Sequence, residues 1–252
     1  MKRKIAILLS CVCLLVSCAS CDSTDEAVSV ETTPVVAVAS DTGCMLAAEE
    51  YCKSKGYEMM ECGSSEDAVV FVENGKYDYV VLDEFTSIVP EDYNLRIVEE
   101  CEYSARYSLC FYGYDQVLQD GINGTIIDLN SDGTIDEIIS NHYEGIDNDV
   151  AISGGDMLRV VCSPYYDDRV YFDEDGNICG IDVDIMTAIC NQLGYTPVFI
   201  SAEYDEVFTM LEEGYGDVAL MIDEASWYDS DKFILSEVYL EKNYFVYESN
   251  VK

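Results

Sequence analysis

Asp128, Asn130 and Asp132 stand at alternate positions ahead of Gly133 in the stretch DLNSDGTID. Oxygen ligands at the first, third and fifth places, with glycine sixth for the sharp turn, are the front half of a calcium loop. The twelfth place, which needs a bidentate glutamate, is Ile139, so calcium stands only as an alternative to a metal-free turn. His142 is the single histidine, which leaves an imidazole-based zinc set without partners. None of GxSxG, HExxH or a phosphate-cradling P-loop occurs. Asp223 and Glu224 are adjacent acids, but with 50 Asp and Glu in 252 residues such pairs arise without acid–base work. The chain is therefore not expected to be an enzyme, and no cofactor is expected.

The segment MKRKIAILLSCVCLLVSC places Lys2, Arg3 and Lys4 before a short apolar run and a small-residue stretch, the pattern of a secretion signal rather than a membrane span. Leu15-Val16-Ser17-Cys18 is similar to the bacterial lipobox, in which the cysteine becomes the lipidated first residue. The expectation is a signal peptide over 1–17, a lipid anchor on Cys18 and an extracytoplasmic protein tethered to the cell membrane. Residues 18–33 are small, polar and acidic, as suits a flexible spacer. Twelve cysteines are present, of which nine follow Cys18; an odd number cannot pair completely, and most sit in apolar patterns where cysteine packs as a small hydrophobe. The formal charge of −37 excludes nucleic acid as a partner, because phosphate binding needs clustered Lys and Arg. With 49% apolar residues and twenty Tyr, the chain is no acidic disordered segment and has the means to bury a core.

Pro34 ends the spacer, Val35 to Ala39 reads as a strand, and Gly43 to Lys53 places Met45, Leu46, Ala48, Glu49 and Cys52 at helical spacing. A second helix over Ser65 to Val72 is closed by Asn74-Gly75, and Tyr79 to Leu82 reads as the next strand. The same pattern returns later: EDAVVFVENGKYDYVVL (66–82) lies without a gap on DEVFTMLEEGYGDVALM (205–221), aligning Gly75 with Gly214 and Asp78 with Asp217. Two helix-Gly-Asp-strand units predict an α/β chain of two similar lobes, each a mainly parallel sheet flanked by helices.

Residues 154–194 contain CSPYYDDRVYF, Asp173-Glu174-Asp175-Gly176 and Gly180-Ile181-Asp182-Val183-Asp184. At this spacing they resemble the strand, DENG turn and GFDVDLA motif that open family 3 of the bacterial extracellular solute-binding proteins, which serve amino-acid ABC transporters and have the type II periplasmic-binding fold. Residues 34–84 resemble the second lobe of that family, TIDEIISNHYEG its last helix, and Phe233 to Tyr239 its VDFSDPY stretch. The resemblance covers nearly all of residues 34–248, with the two blocks in exchanged order. It implies a circularly permuted protein: 34–108 as the family's second lobe, 109–144 as its C-terminal part, 145–155 as the loop joining its old ends, and 156–252 as its N-terminal part, 109–252 forming one lobe. Two strands normally cross between the lobes. Permutation is expected to leave Tyr107 to Tyr112 as the single covalent bridge and closure correspondingly loose.

Carried residue by residue, the resemblance places Asp83 as the acid that holds a ligand amine and Thr42 in the GTT-like loop. Tyr166 keeps an aromatic position and Arg169 takes the place of the stacking aromatic. Glu224, Trp227 and Asp229 occupy the TITPER-like loop, with Asp229 where the family has the arginine that grips an α-carboxylate bidentately. Three readings stay open. Acids and aromatics suit a cationic amine; or Arg169 replaces the lost arginine and the ligand remains amino-acid-like; or the pocket is degenerate. The implied partners are a small-molecule solute, an ABC permease and the membrane, the protein being a monomer. The alternatives are a ligand-sensing surface lipoprotein without a transporter and a dehydratase-like enzyme on the same fold.

Overall fold

Apolar β-branched runs and helices of mixed face alternate along the chain, and the computed structural model shows how they assemble over residues 33–40, 42–146, 148, 150, 154–164, 169–223 and 229–251. The front block is β1 (Val35–Ala39), α1 (Thr42–Lys55), β2 (Glu58–Cys62), α2 (Ser65–Glu73) and β3 (Tyr79–Asp83), followed by the long strand β4 (Leu95–Tyr112). Then come α3 (Gln116–Ser131) and α4 (Thr134–Glu144). The rear block is β5 (Asp156–Cys162), β6 (Tyr171–Phe172), β7 (Ile178–Cys179), α5 (Ile181–Leu193), β8 (Tyr195–Ser201), α6 (Val207–Glu212), β9 (Val218–Asp223) and the long strand β10 (Phe233–Ser249). Strands alternating with helices give the parallel pairs β1–β2, β1–β3, β5–β8 and β5–β9, while β10 runs antiparallel to β3 and β4, and β4 antiparallel to β9. The fold is mixed α/β.

Two features differ from the expectation. Eight strands hydrogen-bond into one sheet in the order β2-β1-β3-β10-β4-β9-β5-β8, rather than into two sheets. The halves share β4 and β10, so the chain passes between them twice: Tyr244 to Glu248 pair with β3 of the front half, while Phe233 to Leu235 pair with the far end of β4. Tyr107 to Tyr112 is therefore not the single bridge, and the premise for unusually loose closure falls away. Each half keeps its own core. Val36, Val38, Val81, Tyr244 and Val246 pack under α1, and Ala37, Val69, Val80 and Leu82 under α2. Ile122, Ile126, Ile135, Ile185, Met186 and Ile189 build the larger rear core.

The aligned repeat is geometric as well as sequential. Gly75 and Gly214 both close their helices at positive φ, 70° and 76°, a conformation in which only glycine avoids a Cβ clash. Asp78 Oδ2 accepts the Val35 amide at 3.0 Å, and Asp217 Oδ2 accepts the Arg159 amide at 2.8 Å, so each aspartate ties its strand to the first or a central strand of its half. The expected hairpin after Asp173 is present, but Gly176 alone has positive φ, and Asp173 N–H bonds to the Asn177 carbonyl at 2.9 Å. The calcium loop is not formed. Asp128 and Asn130 lie inside α3, and Asp132 accepts the Thr134 amide and hydroxyl at 2.9 and 2.6 Å, bonds that hold its carboxyl below the usual range. Burial of Ile122, Ile126 and Leu129 in the rear core holds this stretch in the helix and outweighs the loop spacing. Among the described residues no group of metal-ligating side chains is assembled.

Candidate functional site

Where the halves meet, one face of the sheet carries a row of polar side chains across four adjacent strands. Alternation along β4 puts Cys101, Tyr103, Ala105 and Tyr107 on the same face, and cross-strand register sets Lys242 opposite Ala105, Tyr244 opposite Asp83, and Tyr107 opposite Asp223. Asp83 ends β3; its Oδ1 accepts the Phe85 amide at 2.9 Å, and its Oδ2 faces the Cys44 thiol at 3.8 Å. Lys242 Nζ stands 3.8 Å from the same Oδ2, with both side chains 18% exposed. The Lys242 ammonium also lies 5.4 Å from the Tyr244 ring centre, and the Tyr244 ring packs at 5.6 Å against Tyr103. Tyr103 donates to Asp223 at 3.5 Å. Burial, with nearby negative groups adding to it, pushes the Tyr103 and Tyr244 hydroxyls well up, so both stay protonated.

On the rear side the wall is built from a buried ion pair. Arg169 binds Asp182 through Nε and Nη2, the latter at 2.6 Å, and the Tyr239 hydroxyl donates to the same carboxylate. Burial alone would lower the Arg169 pKa, but the Asp182 charge and hydrogen bonds outweigh it and leave the guanidinium firmly protonated. The guanidinium lies 4.0 Å over the Tyr107 ring, a cation–π contact that joins the loop before β6 to the crossing strand β4. A second link between the halves is Phe85, just past β3, stacked at 5.6 Å on Tyr143 of α4.

Residues 158–248 match the model for the bacterial extracellular solute-binding proteins, family 3. This segment is similar to that family. No curated protein matches. Among solved structures, the chain is similar to the phosphate-binding protein of a phosphate ABC transporter from Streptococcus pneumoniae TIGR4, at 11% identity over 86% of this chain and 89% of that one, TM-score 0.48. It is similar to an ancestral cationic amino-acid solute-binding protein at 12% identity over 87% and 83%, TM-score 0.47. It is also similar to the L-arginine-bound amino-acid ABC transporter substrate-binding protein AbpA of Streptococcus pneumoniae Canada MDR_19A at 12% identity over 87% and 82%, TM-score 0.37.

Within the family 3 segment, the structure places the expected residues unevenly. Asp83, outside that segment, is at the junction, and Thr42 is the first residue of α1. Arg169 is at the junction but has its Nε and Nη2 on Asp182. Asp229 accepts the Asp231 amide at 3.2 Å and has Lys232 at 4.0 Å. Four residues later Phe233 begins β10, paired with Tyr112 at the far end of β4. Tyr166, Glu224, Trp227 and Cys18 lie outside the described residues. Reading the sequence missed Lys242, Tyr244, Tyr103, Tyr107 and Asp182. The Asp of Gly180-Ile181-Asp182 was visible as a motif, but its pairing with Arg169 thirteen residues upstream follows from burial that the sequence does not display.

Proposed function

We propose that this chain captures a small amine-bearing solute, amino-acid-like or a cationic amine, between the two halves of its sheet and delivers it to an ABC importer from the outer face of the cell membrane, held there by lipid on Cys18. The observation that carries the reading is Asp83 at the end of β3, a carboxylate opposite Tyr244 on β10, whose ring packs on Tyr103 of the crossing strand β4. An acid in such surroundings favours an ammonium by charge and the aromatic faces favour it by their quadrupoles. The family 3 match over 158–248 supports solute capture as the class of function. The absence of a catalytic set in the sequence supports capture without turnover.

The exchanged order of the halves belongs to the same proposal. Val36 pairs with Tyr79, and Tyr79 with Glu248, so the end of β10 lies two strands from β1, about 10 Å at the usual strand spacing. A short connection there would restore the family's order, which is the condition under which permutation is tolerated. Calorimetric titration of the protein from residue 18 with all twenty amino acids and with putrescine and spermidine tests the capture reading. One-to-one binding of at least one of them, lost by about tenfold or more in Asp83→Asn, is expected; heats absent throughout would overturn it. Membrane fractionation tests the anchor: Cys18→Ala is expected to move the protein from the membrane pellet to the soluble fraction, and an unchanged pellet would overturn that part.

A further inference from the structure

We infer that Cys52 and Cys101 are a disulfide-forming pair, a modification site that staples helix α1 to the crossing strand β4. Both side chains are buried, in the core that α1 shares with β4. The ion pair beside them sets the register between the two elements: Lys55 Nζ lies 2.9 Å from Glu99 Oε2. Because β1 and β2 are parallel with α1 between them, α1 runs back against β1. β3 is parallel to β1, β10 antiparallel to β3 and β4 antiparallel to β10, so β4 runs with β1 and against α1. One turn back from Lys55 is Cys52, on the same helix face, and two residues on from Glu99 is Cys101, on the same strand face. Both steps leave the ion pair in the same direction, about 4.5 Å along the helix and about 7 Å along the strand, which brings the two thiols side by side. Cys52 accordingly acts on Cys101 directly: burial raises the Cys101 thiol most, and Glu99, Glu100 and then Cys52 add to it.

The remaining described cysteines are placed otherwise. Cys44 is also on α1, but eight residues before Cys52, about 12 Å along the helix, and its thiol faces Asp83. Cys62 packs in the separate core with Val69 and Val72 of α2, and Cys110 in the core with Val207 and Leu211 of α6. Cys162 ends β5, whereas Cys190 is on the last turn of α5, whose closing Gly194 abuts Gly155 at the opposite end of β5. Cys179 is partly exposed and bonds the Asn177 carbonyl at 3.3 Å.

Closing the bond is a two-electron oxidation in which each sulfur gives up one electron and one proton. The oxidant is an organic disulfide of the glutathione kind. One protein thiolate attacks it, releasing one glutathione thiolate and leaving a mixed disulfide; the second protein thiolate then displaces the other glutathione and forms the Sγ–Sγ bond, and the two protons pass to the released thiolates. The thiolate is the reacting form. In the folded, reduced protein burial holds Cys52 protonated and lifts Cys101 to about 12, so exchange belongs to the folding chain, where both thiols have ordinary pKa values, and the second displacement occurs as α1 docks on β4. The link closes residues 52–101 into a loop and so constrains the unfolded chain.

The test refolds the reduced protein from urea at about pH 8, near the ordinary thiol pKa, in a mixture of reduced and oxidised glutathione. Free thiols are then alkylated and the non-reduced peptides mapped by mass spectrometry. A peptide linking Cys52 to Cys101 is expected in most molecules. Both cysteines alkylated, either one joined to a different cysteine, or glutathione left on either would overturn the inference, and this reading needs no variant to fold. The linked protein is expected to melt about 10 °C above the same sample reduced with dithiothreitol, and that gap is expected to vanish in Cys52→Ala and in Cys101→Ala. A link without any gap, or a gap that persists in either variant, would overturn the staple.

Discussion

Arg169 and Asp182 show what a buried charge requires. Each is sealed from water, and the pair is satisfied by two parallel bonds plus the Tyr239 hydroxyl. Removing one partner leaves the other buried and uncompensated, so Asp182→Ala is expected to destabilise the protein by about 3–5 kcal/mol in urea unfolding, well above a surface ion pair such as Lys55–Glu99. Tyr244 offers a second residue-scale test. Its hydroxyl is buried without a hydrogen-bond partner and lies where a Cβ on Gly43 would come within 2.1 Å. Gly43→Ala is therefore expected to be destabilising, and Tyr244→Phe, which removes the hydroxyl, to rescue it in the double variant; thermal melts of the three proteins decide. The thiols give a pH dependence. Burial lifts Cys101, Cys110, Cys162 and Cys190 from 9.0 to about 12, so between these values the unfolded chain has lost protons that the folded one retains. Their contribution is fully present below about pH 9 and is lost as pH rises toward about 12. Stability measured by urea unfolding is expected to fall across that window, and a flat profile would contradict the assignment.

At the scale of elements, the helix-Gly-Asp-strand unit was fully legible. Residues 66–82 and 205–221 share glycines at positive φ and aspartates that cap the neighbouring strand. Asp78→Ala and Asp217→Ala each remove one such bond and are expected to cost about 1–2 kcal/mol, read by chemical denaturation of each variant. The crossing strands were not legible, for a physical reason. β10 runs 17 residues past both halves, and its pairing with β4 slips at four places, between Leu235/Val238, Val238/Leu240, Asn243/Phe245 and Val246/Tyr247. Each irregularity changes which face a side chain takes, so the period-two pattern that announces a strand is broken where Lys242 and Tyr244 sit. The same slippage hid those two residues as members of the site. Asp128 and Asn130 misled in the opposite direction, since alternate oxygen ligands satisfy a spacing rule that helix α3 overrides.

For the whole molecule, two halves with separate cores are held by two shared strands and by contacts such as Phe85 on Tyr143. The front half supplies Asp83, the rear half supplies the Arg169 wall, and the crossing strands supply Lys242, Tyr103, Tyr107 and Tyr244. On the proposed function, a site so divided needs both halves in place, the arrangement that would let a solute favour their closure. An excess of 50 acids over 13 Lys and Arg opposes that compactness through self-repulsion. Screening relieves it, so the melting temperature is expected to rise as NaCl increases from about 10 mM to about 500 mM. The most direct measurement is a crystal structure grown with the amino acid that gives the strongest calorimetric signal. The account predicts density for that amino acid at the junction of the halves, its ammonium within hydrogen-bond distance of Asp83. Density for it elsewhere, or Asp83 still facing Lys242 with no solute between the halves at saturating concentration, would contradict it.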